Sequence, residues 1–242
     1  MAAIFNSTAT KKVLASLGLL TAISAPVSAT DFTVEIINLT RGSYFTPFLV
    51  AAHVDSANLF MTGEPASANL QAMAEGGDIA GLQADVESLN ATIAANPAGG
   101  LLAPGQRTSA ALNTDNAPDN TRLSIVAMIL PSNDGFMGLN AIEIPTEPGR
   151  YVYNVNAYDS GTEGNDEVVG SGAPGEPGYP APPPVLAASG SGGTGIAAMA
   201  EGFVHIHRNV LGDDDLEGGV SDIVNTVHRW LNPVVRVVLT VN

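Results

Sequence analysis

The run Leu123-Ser124-Ile125-Val126-Ala127-Met128-Ile129-Leu130 constrains the fold most. It is apolar apart from Ser124, and it is far too short to cross a bilayer. A short, continuous apolar run of this kind reads as a strand buried on both faces. Such a strand needs a covering layer on each side, so the remaining elements must supply two layers. Other segments fit that demand. Residues 32–39 alternate, with Phe32, Val34 and Ile36 on one face. Residues 48–54 form a second strand with Pro47 at its start, where Pro is tolerated. Residues 108–112, 150–158, 202–207 and 233–241 add further strands.

Two helices interrupt the strands. Ser67 is placed to cap residues 68–74, which stop at Gly76-Gly77. Asp78 is placed to cap residues 79–95, where Ile79, Leu82, Val86, Leu89 and Ile93 make one apolar stripe. Asn96-Pro97 ends that helix. The predicted class is therefore mainly β: an antiparallel β-sandwich with a small helical insertion over about residues 67–95. Residues 164–195, dominated by Gly, Pro, Ala and Ser, read as a flexible exposed loop inside one domain spanning residues 30–242. The strands that follow are too few to make a second domain.

Residues 1–29 read as a secretory signal peptide. Lys11 and Lys12 precede a short apolar core, and Val27-Ser28-Ala29 offers a small-residue cleavage site. The expected location is secreted, periplasmic or extracellular. Removing two Lys and no acids takes the formal charge from −15 to −17 (−15 minus 2). That charge excludes nucleic acid as a partner and suits divalent cations. There is no Cys, so stability must come from the core. No segment is long and apolar enough to be transmembrane.

Two strand ends carry acids. Residues 123–130 lead into Pro131-Ser132-Asn133-Asp134-Gly135-Phe136-Met137-Gly138, and residues 150–158 lead into Asp159-Ser160-Gly161-Thr162-Glu163. In one sandwich these loops can meet at one end. Calcium takes six to eight oxygen ligands, which such loops supply. Acidic turn residues are also ordinary solvated turn formers, and no EF-hand loop is present.

The turn 131–138, followed by Tyr158-Asp159-Ser160-Gly161-Thr162-Glu163, resembles the two turns of the spondin N-terminal domain, a family first known from extracellular-matrix spondins. Ala74-Glu75-Gly76-Gly77 and Trp230-Leu231-Asn232-Pro233 fit the short exported form of that family. The resemblance implies a calcium- and lipid-binding type of sandwich and one Ca²⁺ held by three acidic side chains, here Asp134, Asp159 and Glu163. Two departures stand out: Asn133-Asp134-Gly135 replaces Pro-Asp-Trp, and Glu163 replaces an Asp.

His205 and His207, two apart on a strand, share a face and offer Zn²⁺ or Cu²⁺ two imidazoles, with His53 or His228 as a third. No third ligand lies at motif spacing, so two polar side chains on a solvated face are the favoured reading. The acidic run Asp213-Asp214-Asp215 reads as a solvated loop. No catalytic arrangement is legible, and the chain is not expected to be an enzyme. The expected function is a secreted calcium-binding module for adhesion to a matrix, a surface or an extracellular ligand (glycan, protein or lipid head group). A metal-dependent hydrolase using the acidic loops, or a purely structural surface protein, is the alternative.

Overall fold

A computed structural model describes residues 30–242. The expected signal peptide lies outside the described residues.

The chain begins with β1 (Asp31–Asn38), β2 (Tyr44–Phe45) and β3 (Leu49–His53). Two helices follow, α1 (Ala68–Gly76) and α2 (Ala80–Glu87). Then come β4 (Thr92–Ala95), β5 (Arg107–Asn113), β6 (Arg122–Leu130) and β7 (Gly135–Glu143). Next are β8 (Gly149–Val155) and β9 (Ala157–Asp159). The third quarter holds β10 (Val169–Gly170), β11 (Tyr179–Pro180) and α3 (Pro183–Leu186). The chain closes with β12 (His205–Ile206), α4 (Asn225–His228) and β13 (Val235–Val241).

These strands make the predicted antiparallel sandwich. One sheet has the order β5-β1-β13-β8. The other runs β12-β9-β7-β6-β3-β4, with β2 attached to β6. Alternation fixes the facing of the first sheet: Phe32, Val34 and Ile36 of β1 are buried, as are Val235, Val237 and Leu239 of β13. β6 is the central strand that its composition demands. It lies between β7 and β3, every residue from Leu123 to Leu130 is buried, and α1 packs against it. Burying each such Leu, Ile or Val contributes about 1.5–3 kcal/mol, so this strand is where the core is strongest.

The helical insertion is real but shorter than the apolar stripe suggests. Ser67 Oγ accepts from Leu70 N at 3.1 Å and opens α1, and Gly77 closes it in the left-handed region at φ 72°. Asp78, expected to cap α2, sits one residue too early: the N-cap is Ile79, which has no side-chain cap, and Asp78 Oδ1 accepts from Ala80 N at 2.9 Å in a turn just before the helix. Yet α2 stops at Glu87. Asn90 turns the chain at φ 61°, and Thr92–Ala95 pairs with β3. Ile93 therefore serves a strand, and Leu89 is exposed. An open edge on β3 and the β-branched pair Thr92-Ile93 outweigh continuation of the helix.

Two further differences bear on the site. The polar turn after β6 is shorter than expected, because Gly135 already begins β7. The predicted strand over 150–158 is two strands: it breaks at Asn156, and its halves join different sheets. Asn232 Oδ1 takes the Ala157 N–H at 2.8 Å across that break. The stretch 164–195, expected as a flexible loop, packs on the body. It carries β10, β11 and α3, and Tyr179 and Val185 are buried. Those two side chains supply the apolar area that its composition otherwise lacks.

His228 at the end of α4 is buried, and its Nδ1 accepts from Val224 N at 3.2 Å. Burial pushes its pKa down from 6.5 to about 4. The unfolded chain takes up this proton near pH 6.5, and the folded chain resists it until about pH 4. Stability is therefore lost as pH falls through that window. Urea midpoints at pH 7.5 and 4.5 should fall less for His228→Gln than for the parent. An equal fall in both would contradict a buried neutral ring.

Candidate metal centre

The site forms where three segments meet at one end of the sandwich. The first is the turn after β6. Ser132 Oγ donates to Ile129 O at 2.6 Å and accepts from Gly135 N at 3.1 Å, which tightens the turn. Asn133 ties it to the second segment. Its Nδ2 donates to Glu163 Oε1 and to Asp166 Oδ1, both at 2.7 Å, and its Oδ1 accepts from Glu167 N at 3.0 Å.

The second segment is the loop after β9. Pairing of β7 with β9 sets Gly135 opposite Asp159, and Ser160 N donates to Asp134 O at 3.2 Å. Asp134 is fully buried. Its Oδ2 accepts from Ser160 Oγ at 2.8 Å, Thr162 N at 2.9 Å and Glu163 N at 3.3 Å. Its Oδ1 is buried with no hydrogen-bond partner among the described residues. Burial, reinforced by the Asp159 charge, pushes the Asp134 pKa up to about 7. Asp159 Oδ1 accepts from Gly161 N, and Oδ2 from Asn165 Nδ2, both at 2.9 Å.

The third segment is a strap over residues 201–207. Gly161 sits at φ +68°, and a Cβ there would lie against Phe203 O and 2.7 Å from Phe203 N. The missing Cβ lets the strap cross the turn, and Gly202 N donates to Gly161 O at 2.8 Å. β12 then pairs with β9, setting His205 opposite Asp159.

The three acids expected as ligands are thus partly brought together. Asp134 and Asp159 are brought near each other by the pairing of Gly135 with Asp159, and the Asp159 charge helps raise the Asp134 pKa. Glu163 spends Oε1 on Asn133 and on Gly178 N at 2.6 Å, while its buried Oε2 has no partner among the described residues. Burial holds its pKa above the usual range. Among the described residues, the metal-ligating side chains whose ligand atoms lie within 4.8 Å of one another are Asp159, Glu201 and His205. That cluster could hold a metal ion.

Glu201 escaped the sequence reading. The signal available for it was parity: Glu201, Phe203, His205 and His207 fall on alternate positions. His205 and His207 do turn the same way, toward Asp159, at 3.6 and 4.0 Å. The third imidazoles considered for them are occupied elsewhere: His53 bonds Ser124 Oγ at 2.7 Å, and His228 bonds Val224. The acidic run after Leu211 caps its own loop, with Asp213 accepting from Val220 N and Ser221 N. Glu167, also unforeseen, is a buried staple that accepts from Leu211 N, Gly212 N and Ser221 Oγ. A cavity of about 710 Å³ opens over Asp159, Glu201 and His205, rimmed by Phe203, Ile206 and Leu211.

Among the described residues, no helix is long and apolar enough to cross a membrane. A search of curated proteins gave no match. The family model Spondin_N matches residues 31–177, from β1 to the segment before β11, and covers both acidic turns. The sandwich continues past that match, since β13 lies between β1 and β8. With more than half of its length matched and its turns built as described, the chain belongs to the spondin N-terminal domain family.

Proposed function

We propose that the chain is a secreted, calcium-stabilised binding module whose ion clamps the sandwich end, and that it serves adhesion to a matrix, a surface or an extracellular ligand. The observation that carries this reading is the Asp134 carboxyl. It is buried beside the Asp159 carboxylate, and Oδ1 has no partner among the described residues. A buried, unpaired oxygen next to a like charge is costly unless a cation or a proton lies between them. Glu163 Oε2, on the loop that also carries Asp159, is a further buried oxygen with no partner among the described residues. Asp134, Asp159 and Glu163 are the proposed protein ligands, and carbonyls and water complete an oxygen shell suited to calcium.

The ion's work in this reading is mechanical. It binds only the folded arrangement of the two turns, so it stabilises that arrangement and fixes the surface around it. No catalytic step is assigned to the acids. Calcium at 100 times its dissociation constant adds about 2.7 kcal/mol, which raises Tm by about 5–11 °C for a chain of this size. Differential scanning calorimetry of chelator-stripped protein, with and without calcium, reads this directly. Asp159→Asn should abolish the rise. A parent whose Tm ignores calcium would sink the clamp.

A further inference from the structure

We propose that Asp159, Glu201 and His205 form a second kind of coordination site, one that takes a d-block divalent cation of the zinc type. It goes beyond the calcium clamp and differs from it in ligand chemistry. The two sets share Asp159 alone.

The hydrogen bonds of His205 fix its tautomer. Nδ1 lies 3.0 Å from Ile206 O, and a carbonyl only accepts. Nδ1 therefore carries the proton, and in the neutral ring Nε2 presents a lone pair. That lone pair faces Asp159 Oδ1 at 3.6 Å and Glu201 Oε1 at 3.9 Å. Nε2 is buried, with no hydrogen-bond partner among the described residues. Three acceptors thus face one another across a gap too wide for direct hydrogen bonds. Metal–ligand bonds of about 2.0–2.1 Å in a tetrahedron separate neighbouring ligands by roughly 3.3–3.4 Å, so the 3.6 and 3.9 Å from His205 Nε2 would have to shorten by a few tenths of an ångström on binding. A ring nitrogen held toward a metal by a backbone carbonyl on its other nitrogen is the usual support for a metal-binding His.

A second observation points to the same spot. His207 is 4 % exposed, and its Nε2 has no partner among the described residues, although it lies 4.0 Å from Asp159 Oδ2. Its Nδ1 accepts from Asn209 N at 3.0 Å, so Nε2 carries the hydrogen. His207 is therefore a positioning residue: it aims a donor at the carboxylate and is not a ligand itself. An imidazole with two carboxylates suits zinc or a neighbouring d-block ion better than calcium, which prefers oxygen throughout. All three ligands line the 710 Å³ cavity, so the ion would keep a position open to water or to a donor group from a bound molecule.

The test is calorimetric titration of the chelator-stripped full chain with Zn²⁺, and separately with Ca²⁺. His205→Ala and Glu201→Gln remove ligands that are only partly buried, so the fold should survive them. The parent should take up one zinc per chain. His205→Ala should weaken uptake by more than about 100-fold, beyond what loss of a supporting group outside the coordination sphere produces, and Glu201→Gln by about 10-fold. Asp134→Asn should remove calcium binding and leave zinc binding in place. A parent that takes up no zinc would overturn this site, as would uptake unchanged by both ligand variants. Calcium binding that persists while zinc fails sinks this site and leaves the clamp standing. Failure of both ions sinks both.

Discussion

Asp134→Ala should cost the metal-free fold about 3 kcal/mol, because it removes one buried acceptor from three donors at once. Ser160 Oγ and the N–H groups of Thr162 and Glu163 all point at Asp134 Oδ2, which is fully buried. For a chain of this size, the loss should lower Tm by about 6–12 °C. Asp134→Asn separates structure from charge. Its amide oxygen can still accept from the same donors, and its neutral amide removes a buried charge beside Asp159. In chelator, Asp134→Asn should therefore match the parent or exceed it. In calcium the order should reverse, because the parent gains the ion and the amide does not. Thermal unfolding of the three proteins in both conditions gives six midpoints. If Asp134→Asn falls below the parent in chelator and by the same amount in calcium, the carboxylate has a purely structural role and the ion has none.

The second large effect is at Gly161. Gly161→Ala should destabilise by about 3 kcal/mol, from two sources. A left-handed backbone costs a residue with a Cβ about 1–2 kcal/mol. The rest comes from overpacking, since the new methyl would meet the backbone of Phe203, which cannot rotate away. Gly202→Ala is the matched control: Gly202 also sits at positive φ, +82°, but a Cβ there meets nothing within 4 Å. It should cost only the backbone share, about 1 kcal/mol. The difference between the two variants, read from urea unfolding, measures how tightly the strap seats on the turn. Equal costs would mean that the strap does not bear on Gly161. A displaced strap also carries Glu201 and His205 away from Asp159, so Gly161→Ala should lose zinc affinity more than Gly202→Ala does.

What the sequence made legible follows from how local each signal is. The central strand was readable because a run of eight residues, apolar at all but Ser124, permits few other fates. The cap at Ser67 was readable because capping is settled within four residues. The acidic turns were readable as turns, and their resemblance to a known family put them at one end of one sandwich. The rest depended on partners distant in sequence. Gly135 starts a strand because β6 and β9 flank it, and nothing between Pro131 and Gly138 announces those neighbours. The break at Asn156 is hidden by an alternation that continues across it, and Asn232 stabilises it from 75 residues away. Residue 93 fits a helical stripe and a strand equally; the open edge of β3 decides. Glu201 reaches Asp159 from 42 residues away (201 minus 159), and the seating of the strap on Gly161 and the pairing of β12 with β9 make them neighbours. Glu163, four residues after Asp159, is turned toward Gly178 because Asn133 and the Gly178 N–H bind its carboxylate. Spacing alone treats these two acids as the natural pair, and hydrogen bonds from elsewhere in the chain redirect one of them.

The central claim is that a cation lies between the buried carboxylates at this end of the sandwich. The most direct measurement is electron density from crystals of the chain grown in calcium. The account predicts a peak about 2.3–2.6 Å from Asp134 Oδ1 and from an Asp159 oxygen, with other oxygens completing the shell. Density with no ion there, and with Asp134 Oδ1 hydrogen-bonded to Asp159 through a shared proton, would contradict it.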